Sequence, residues 1–416
     1  MTRTVRDAAG LYRPAPASDA QTHARLRYDR GTLLLENCAQ PPPALAAHFV
    51  HDPRVDAWRA PAFRYAELIP ALRGWLARNS APRYRRQVLA PALAFDPHPH
   101  QEAALECWRE AAGRGLVVLP TGAGKTLVGL LAMAWAGRDS LVVVPTIDLM
   151  QQWYGLLRAA FPDRPVGLLG GGYREPEAVT VATYDSAARL AEQLGDRYGL
   201  LVFDEVHHLP AEFYRSIAEF ALAPFRLGLT ATPERADGLE RELETLVGPT
   251  VYRRAPADLA GAFLAPFEIR PVAVELDAAE RARYREALAL RDAFLRRHRI
   301  GLGSLTGWQR FVMHSARNAE GRRAMQAHRT ARRIAQATPA KLRALAAILA
   351  DHPRERTVVF TEDNATAYEI ARRFLVPCLT HQTRVKERQT ILERFRAGDY
   401  PVLVTSKVLN EGVDVP

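Results

Sequence analysis

The residues best suited to chemistry form the string LPTGAGKT at 119–126. It follows an apolar run, GLVVL, and precedes a helical stretch, so backbone N–H groups and a helix N-terminus converge on one anion, which we expect to be a phosphate. Glycines allow the turns of such a loop, Lys125 can reach the β and γ phosphates, and the Thr126 hydroxyl can hold Mg²⁺. The strict pattern GxxxxGK[ST] would place glycine at Leu119, so this is its common variant. The predicted nucleotide-binding residues are Thr121, Gly122, Ala123, Gly124, Lys125 and Thr126.

A second candidate is the acid pair in LLVFDEVHH, residues 200–208. Acids that follow an apolar strand downstream of such a loop favour Asp204 as a metal-binding residue acting through water and Glu205 as the group that polarises the attacking water. Without that loop, an ordinary solvated turn would be the better interpretation. The neighbouring His207 and His208 could suggest zinc, but no third ligand lies nearby, so coupling or simple packing is favoured.

Positive charge is concentrated in one segment. The chain has a net charge of +10, and residues 281–333 alone contain fourteen Arg and three acids, an excess of +11. A basic block in an otherwise balanced chain is typical of a surface that binds a polyanion, although Arg-rich helices are often only solvated faces. With Trp308 and Phe311 interleaved, we favour nucleic acid, held through phosphates and through an aromatic stacked on an unpaired base. The predicted contacts are Arg296, Arg297, Trp308 and Arg310.

Composition narrows the class of protein. The chain has 416 residues, 48% apolar and 25% charged, which is ordinary for two or three folded domains. No apolar run approaches the roughly 18 residues of a membrane span, and no signal peptide is evident, so we expect a cytoplasmic protein without a membrane partner. The cysteines at 38, 107 and 378 have neither zinc nor disulfide spacing.

The elements that must position these residues follow from periodicity. From about 98 to 250, short apolar runs alternate with amphipathic stretches, which predicts a parallel sheet covered on both faces with ligands at the carboxyl ends of its strands. Residues 277–337 show no strand signal and predict Arg-rich helices. The alternation of strand and helix then resumes. At the N-terminal end, the strand-like RLRYDRGTLLLE and the helical AELIPALRGWLARN predict a small α+β unit. Its basic strand either contacts DNA or is an edge strand that its charges keep soluble.

A family resemblance rests on these residues. LPTGAGKT, VVVPTIDLMQQW, VATYDS, DEVH, GLTATP, VVFTE and VLNEGVDVP resemble, in order, motifs I, Ia, Ib, II, III, IV and V of superfamily 2 helicases. With RLRYDRGTLLLE, HPHQEAAL and LTATPERADG, the chain resembles prokaryotic XPB-type DNA helicases from about residue 22 onwards. The resemblance implies an α/β fold of two RecA-like P-loop lobes with parallel sheets, a small N-terminal α+β domain and an all-helical thumb insertion. The expected segments are a flexible tail at 1–20, a damage-recognition-like domain at 21–85, lobe 1 at 90–255, the basic thumb at 275–337 and lobe 2 at 338–416.

The resemblance also assigns roles to individual residues. It places Gln101 at the adenine, Thr230 and Thr232 in coupling, and Gly412 and Asp414 at the nucleotide cleft. Of the two histidines considered above, His207 is the candidate for coupling. The residues that it places on nucleic acid are Thr146, Gln152, Thr183, Arg235 and Thr405. The implied cofactors are ATP and Mg²⁺.

Two departures from the family pattern matter. The family's Arg-Glu-Asp tripeptide reads Arg235, Ala236, Asp237 here, so its central acid is missing. The sequence stops at Pro416, just past motif V and before motif VI, whose arginines complete the ATP site in this family. Such an arginine contributes about 10³ to 10⁵ in rate in related enzymes, so we expect this chain to bind ATP better than it hydrolyses it. Because motif VI is missing, we also expect the chain to be a fragment of a longer protein.

We therefore expect an ATP hydrolase that moves on single-stranded or forked DNA, 3′ to 5′, in repair, with a nuclease or repair protein as a partner. Two alternatives stay open: a restriction-system translocase subunit that pumps duplex without unwinding it, and a catalytically weak, ATP-gated DNA-binding module. The preference for DNA over RNA rests on the resemblance, since phosphate contacts do not separate them.

Overall fold

The computed structural model describes residues 23–92, 95–235, 237–261, 263, 265, 268–302 and 305–406. The expected tail at 1–20, Ala236, and the motif V residues Gly412 and Asp414 lie outside the described residues.

The N-terminal unit is a five-stranded sheet with one helix. Strands β1 and β2 form an antiparallel hairpin through a two-residue turn at Arg30 and Gly31, which both have positive φ, as a type I′ turn requires. The sheet order is β3-β4-β2-β1-β5. Its elements are β1 (Arg25–Asp29), β2 (Thr32–Glu36), β3 (Val50–Asp52), β4 (Ala57–Pro61), α1 (Tyr65–Leu72) and β5 (Arg78–Asn79).

The first lobe is built on an eight-stranded sheet in the order β13-β6-β12-β11-β7-β10-β8-β9, parallel except for the pairing of β8 with β9. Several strands are buried along their whole length, and separate apolar clusters cover the two faces, which confirms the predicted covered parallel sheet. The strands are β6 (Arg114–Val118), β7 (Ser140–Val144), β8 (Val166–Gly170), β9 (Tyr173–Glu175), β10 (Val179–Thr183), β11 (Leu200–Asp204), β12 (Phe225–Thr230) and β13 (Thr250–Arg253). The helices are α2 (Pro99–Glu110), α3 (Lys125–Ala136), α4 (Ile147–Ala160), α5 (Tyr184–Arg189), α6 (Ala191–Leu194), α7 (Ser216–Glu219), α8 (Glu242–Leu246) and α9 (Pro256–Leu259).

The N-terminal unit is docked on this lobe. The guanidinium of Arg83 forms a bidentate pair with Asp196, with N···O distances of 2.7 and 2.6 Å. The Tyr28 hydroxyl donates to the carbonyl of Glu192 at 3.0 Å, and Leu222 of the first lobe belongs to the apolar core of the N-terminal unit. A shared core and a bidentate ion pair fix the unit against the lobe.

Three helices follow, which we call the thumb: α10 (Ala278–Arg297), α11 (Leu305–Arg317) and α12 (Ala319–Gln336). Phe294 and Phe311 are buried where the helices meet, and small residues at Ala287, Ala327 and Ala331 let α10 and α12 pack closely. The predicted basic helices are therefore present.

The second lobe has a parallel sheet in the order β14-β16-β15. Its elements are α13 (Pro339–Asp351), β14 (Thr357–Thr361), α14 (Asn364–Phe374), β15 (Cys378–Leu379), α15 (Val385–Ala397) and β16 (Val402–Ser406). Among the described residues, no helix combines the length and the apolar character that a bilayer span requires.

Candidate nucleotide and nucleic-acid sites

Three predicted segments lie side by side at one edge of the first lobe's sheet. The LPTGAGKT loop follows β6, Thr230 ends β12, and Asp204 ends β11, and these three strands are neighbours. Because their pairings are parallel, their carboxyl ends share one edge. Residues separated by up to about a hundred positions in the sequence are thereby brought to one place.

The loop between β6 and α3 has the geometry of a phosphate cradle. Gly122 and Gly124 have φ values of 82° and 75°, which other residues adopt only with strain. Lys125 opens α3, and its Nζ donates to the carbonyl oxygens of Leu119 and Pro120 at 3.3 and 3.5 Å. These are weak contacts that a phosphate oxygen can replace.

Gln101 is hydrogen-bonded to this loop. Its Nε2 donates to the carbonyl of Ala123 at 3.0 Å, while its Oε1 accepts from the backbone N–H of His98 at 2.9 Å. His100 contacts the same carbonyl through Nε2 at 3.0 Å. A Cβ atom at Gly124 would lie 2.1 Å from Gln101 Nε2, so a larger residue there would displace this amide. With both ends of its amide engaged, Gln101 positions the loop in this structure, and its predicted contact with adenine stays a prediction.

Asp204 is nearly buried, with 6% of its surface exposed. Trp153 Nε1 donates to Oδ2 at 2.8 Å, and the backbone N–H of Glu205 donates to Oδ1 at 3.1 Å. Burial raises the pKa of the Asp204 carboxyl, with a further increase from the Glu205 charge, while the hydrogen bond from Trp153 and the charge of Lys125 oppose that increase. Trp153 was not among the predicted site residues, because its sequence signal is only that of a core residue on α4.

Glu205 is linked to the end of β12. Its backbone has a φ of 47°, unusual for a residue with a side chain, and Oε2 accepts from Thr230 Oγ1 at 3.2 Å. His207 Nδ1 lies 3.1 Å from the same hydroxyl, and the backbone N–H of Thr232 donates to it at 3.2 Å. The three residues predicted for coupling therefore meet at one hydroxyl group.

Arg235 has intramolecular partners. Its guanidinium pairs with both oxygens of Asp237, at 2.9 and 2.6 Å, and also donates to the carbonyl of His207. This pairing lowers the pKa of Asp237 to about 2. In this conformation Arg235 connects the segment after β12 to the DEVHH segment, and the guanidinium atoms that we predicted would contact nucleic acid are occupied.

The residues of motifs Ia and Ib lie at the same sheet edge, beyond β11. Thr146 and Thr183 cap α4 and α5, with their hydroxyls accepting from the backbone N–H groups of Leu149 and Ser186 at 3.2 and 3.3 Å. Gln152 is exposed on α4. Their assignment to nucleic acid stays a prediction.

The thumb residues that we predicted would contact nucleic acid differ in their exposure and in their partners. Arg296 and Arg310 are exposed, whereas Arg297 pairs with Glu320 at 3.0 Å. Trp308 is 37% exposed, and Phe311 is fully buried. Trp308 is therefore the aromatic of this pair that is open to stack on a base, and Phe311 is a core residue.

Thr405 and the basic strand of the N-terminal unit lie in environments that differ from those expected. Thr405 on β16 is fully buried and its Oγ1 has no hydrogen-bond partner, so contact with nucleic acid is not open to this side chain in the present structure. In the N-terminal unit, Arg27 pairs with Glu36 at 2.6 Å, and β1 lies between β2 and β5. Arg27 is thus paired within the unit, and β1 is not an edge strand.

The donor set around Asp204 fits Mg²⁺. Magnesium prefers hard oxygen ligands, retains several waters, and is held in such sites by one or two protein oxygens plus phosphates. A buried carboxylate at Asp204 and the Thr126 hydroxyl at the start of α3 supply that chemistry. Within the described residues no cluster of three or more His, Cys, Asp or Glu could hold a metal by itself.

A phosphate loop, an acid pair on a neighbouring parallel strand, and a second parallel α/β lobe together define the class of two-lobed P-loop nucleotide hydrolases. Comparisons with known proteins narrow this class. The family model described as the XPB helicase damage recognition domain matches residues 26–75, that of the type III restriction enzyme res subunit matches 94–235, and that of the helicase conserved C-terminal domain matches 340–416.

Two relatives illustrate the similarity. The chain is 42% identical over 317 residues to the DNA 3′-5′ translocase XPB2 of Sulfurisphaera tokodaii, covering 76% of this chain and 72% of that protein. It is 32% identical over 352 residues to the DNA 3′-5′ helicase XPB of Mycobacterium tuberculosis, covering 79% of this chain and 56% of that protein. Among solved structures, the Pyrococcus furiosus Hef helicase domain aligns with a TM-score of 0.49 at 22% identity, covering 77% of this chain and 87% of that one.

The chain belongs to the XPB family of helicases. It spans about three quarters of the archaeal relative and just over half of the mycobacterial one.

Proposed function

We propose that this chain is an ATP-dependent DNA translocase or helicase that moves 3′ to 5′ and acts in DNA repair. The observation that carries the proposal is the meeting of the phosphate loop, the Asp204–Glu205 pair and Thr230 at three adjacent strand ends. The polarity and the DNA substrate are those that the names of the two relatives give for those proteins.

Different residues of the chain bind the phosphates, hold the metal ion and activate water. Lys125, released from its two weak carbonyl contacts, binds the β and γ phosphates, and the loop N–H groups hold the remaining oxygens. Thr126 and Asp204 would hold a magnesium ion, which would neutralise charge on the phosphate oxygens. Glu205 orients and polarises the attacking water.

Hydrolysis is coupled to movement through Thr230. Its hydroxyl contacts Glu205 and His207 at the same time, so a change at the γ phosphate that moves Glu205 also moves the end of β12 and Thr232. Lobe closure on ATP and reopening after hydrolysis then shift the grip of Thr146, Gln152, Thr183 and the thumb on a DNA strand. A nuclease or another repair protein is the partner that we expect for this motor.

Steady-state ATPase activity with and without single-stranded DNA tests the proposal. We expect stimulation by DNA in the wild type, loss of ATP binding or turnover in Lys125→Ala, and retained ATP binding with stalled hydrolysis in Glu205→Gln. Equal activity in all three proteins would overturn the site assignment. A wild type that binds ATP but hydrolyses it no faster than Lys125→Ala would favour the ATP-gated DNA-binding module.

The restriction-type alternative requires a separate assay. The restriction-subunit model matches only within the first lobe, whereas the damage-recognition match and both relatives point to XPB. Unwinding of a forked duplex beside displacement of a triplex strand separates the two activities. Triplex displacement without any fork unwinding would identify a duplex translocase.

A further inference from the structure

A groove of about 580 Å³ lies at the far end of the sheet edge that carries the phosphate loop. It is lined by the glycines Gly170, Gly171 and Gly172, by Tyr173, and by the start of α5. Gly171 and Gly172, with φ values of 59° and 97°, form the two-residue turn that joins β8 to β9. The volume is in the range of pockets that hold a nucleotide-sized group, roughly 300 to 1,000 Å³.

The register of the strands places an aromatic ring across from Thr183. Gly170 of β8 pairs with Tyr173 of β9, and Thr183 of β10 follows Ala182, which pairs with Leu169 of β8. Gly170 is buried, and the space that its Cβ would occupy is filled by Thr183 and by the sulfur of Met150, at 2.9 and 3.3 Å. At the turn itself a Cβ atom built on Gly172 would meet nothing within 4 Å, so the space next to Tyr173 is open.

The charges at this groove favour a phosphate on one side. Arg174 and Arg189 are exposed and line it, and Tyr173 is 46% exposed. Asp185 also lines the groove and accepts a hydrogen bond from the Tyr214 hydroxyl at 3.0 Å, so a phosphate is repelled from that side. An exposed aromatic ring beside two arginines and bare backbone is the arrangement that binds single-stranded nucleic acid.

We propose that Tyr173 stacks on an unpaired base of the DNA strand, with the adjoining phosphate held by Arg174 and Arg189. The inference rests on the proposed function and extends the strand's path beyond Thr146 and Thr183 to the β8–β9 turn. Neither the sequence motifs nor the family comparisons assign a role to this tyrosine.

Fluorescence anisotropy with oligo-dT tests the stacking. We expect Tyr173→Ala to weaken binding by roughly 5- to 100-fold with an unchanged salt dependence, since stacking carries no charge. Tyr173→Phe should bind like the wild type. Arg189→Gln should reduce the slope of log affinity against log salt by about 0.7, the value for one phosphate contact on a single strand. Phe213→Ala, which removes another exposed aromatic ring of the first lobe outside the groove, should bind normally.

An oligonucleotide with abasic sites supplies the decisive comparison. It keeps the phosphates and lacks the bases, so the difference between wild type and Tyr173→Ala should disappear on it. If wild type and Tyr173→Ala bind oligo-dT equally, the stacking proposal is overturned while the motor proposal stands. An equal loss on both oligonucleotides would also overturn it, because the ring would then act on the fold or on phosphates. A wild type that binds no DNA would instead defeat the proposed function.

Discussion

The indole N–H of Trp153 donates a 2.8 Å hydrogen bond to Oδ2 of Asp204, so a helix packed against the sheet directly contacts the carboxylate predicted to hold magnesium. Both side chains are buried. The same ring packs closely against α3, since a Cβ at Gly129 would lie 2.7 Å from it. Trp153 therefore both packs the core and supports the charged form of Asp204.

Replacing Trp153 by Phe should make ATP hydrolysis more sensitive to acid. Burial already raises the pKa of Asp204, and the Trp153 hydrogen bond opposes that rise. Without it, the pKa rises further, and the carboxylate needed for magnesium is lost at a higher pH. The acidic limb of the ATPase profile should therefore move upward in pH.

Trp108→Phe is the matched control for this prediction. Trp108 is also fully buried in the first lobe, but its Nε1 donates to the carbonyl of Arg226 at 2.9 Å. Both variants should lose some thermal stability. The hypothesis would fail if the two acidic limbs moved equally, or if neither moved.

Thr230→Val should weaken the coupling of hydrolysis to DNA. Valine keeps the shape of threonine and removes the hydroxyl that joins Glu205, His207 and Thr232. We expect the stimulation of ATPase activity by DNA to fall about tenfold, which corresponds to about 1.4 kcal/mol in the barrier, with ATP affinity preserved. Thr230→Ser should retain stimulation.

Thr180→Val provides a comparison within the same sheet, because the Thr180 hydroxyl is buried and bonded to Tyr198 at 2.9 Å, away from the nucleotide. Normal stimulation in Thr230→Val, or an equal loss in Thr180→Val, would contradict a specific coupling role.

The residues of the candidate site that the sequence can locate belong to local strings. Gly124, Lys125 and Asp204 are recognisable because a loop and two strand ends each carry their own signal within a few residues. Their adjacency also follows, since parallel strands share one carboxyl edge. The alternation of apolar runs likewise predicts a covered parallel sheet.

The contacts that the sequence does not predict depend on tertiary packing. Helical spacing places Trp153 in the core, but which strand end its N–H meets depends on the order of strands in the sheet. Arg226 lies in an apolar run, where an arginine is expected at a solvated strand end, yet it is fully buried. The engagement of Gln101 with the loop and of Arg235 with Asp237 likewise depends on side-chain geometry.

Arg226→Met should strongly destabilise the first lobe. The buried guanidinium donates to the carbonyls of Ala221, Ala223 and Leu246 at 2.9, 3.2 and 2.5 Å. Burial lowers the pKa of the Arg226 guanidinium well below its usual range. The three buried carbonyl oxygens still need a hydrogen-bond donor, which methionine does not provide. Leaving buried acceptors unpaired costs about 1 to 3 kcal/mol each, so we expect the melting temperature to fall by about 10 °C. Arg158→Met on the exposed face of α4 is the control, and an equal change in both would refute the prediction.

Asp148→Asn should loosen the nucleotide-free arrangement of the lobes. Arg388 on α15 reaches Asp148 on α4 at 2.5 Å, with side chains only 16% and 26% exposed, so this pair joins the second lobe to the first beside Thr146. Asparagine keeps the shape and removes the charge, and a partly buried pair loses more by this than an exposed one. We expect a larger radius of gyration in small-angle X-ray scattering without nucleotide. Arg394→Gln, which breaks the half-exposed pair with Asp399 near the end of the same helix, should leave the radius unchanged. An unaltered radius in Asp148→Asn would mean that the ion pair does not hold the lobes together.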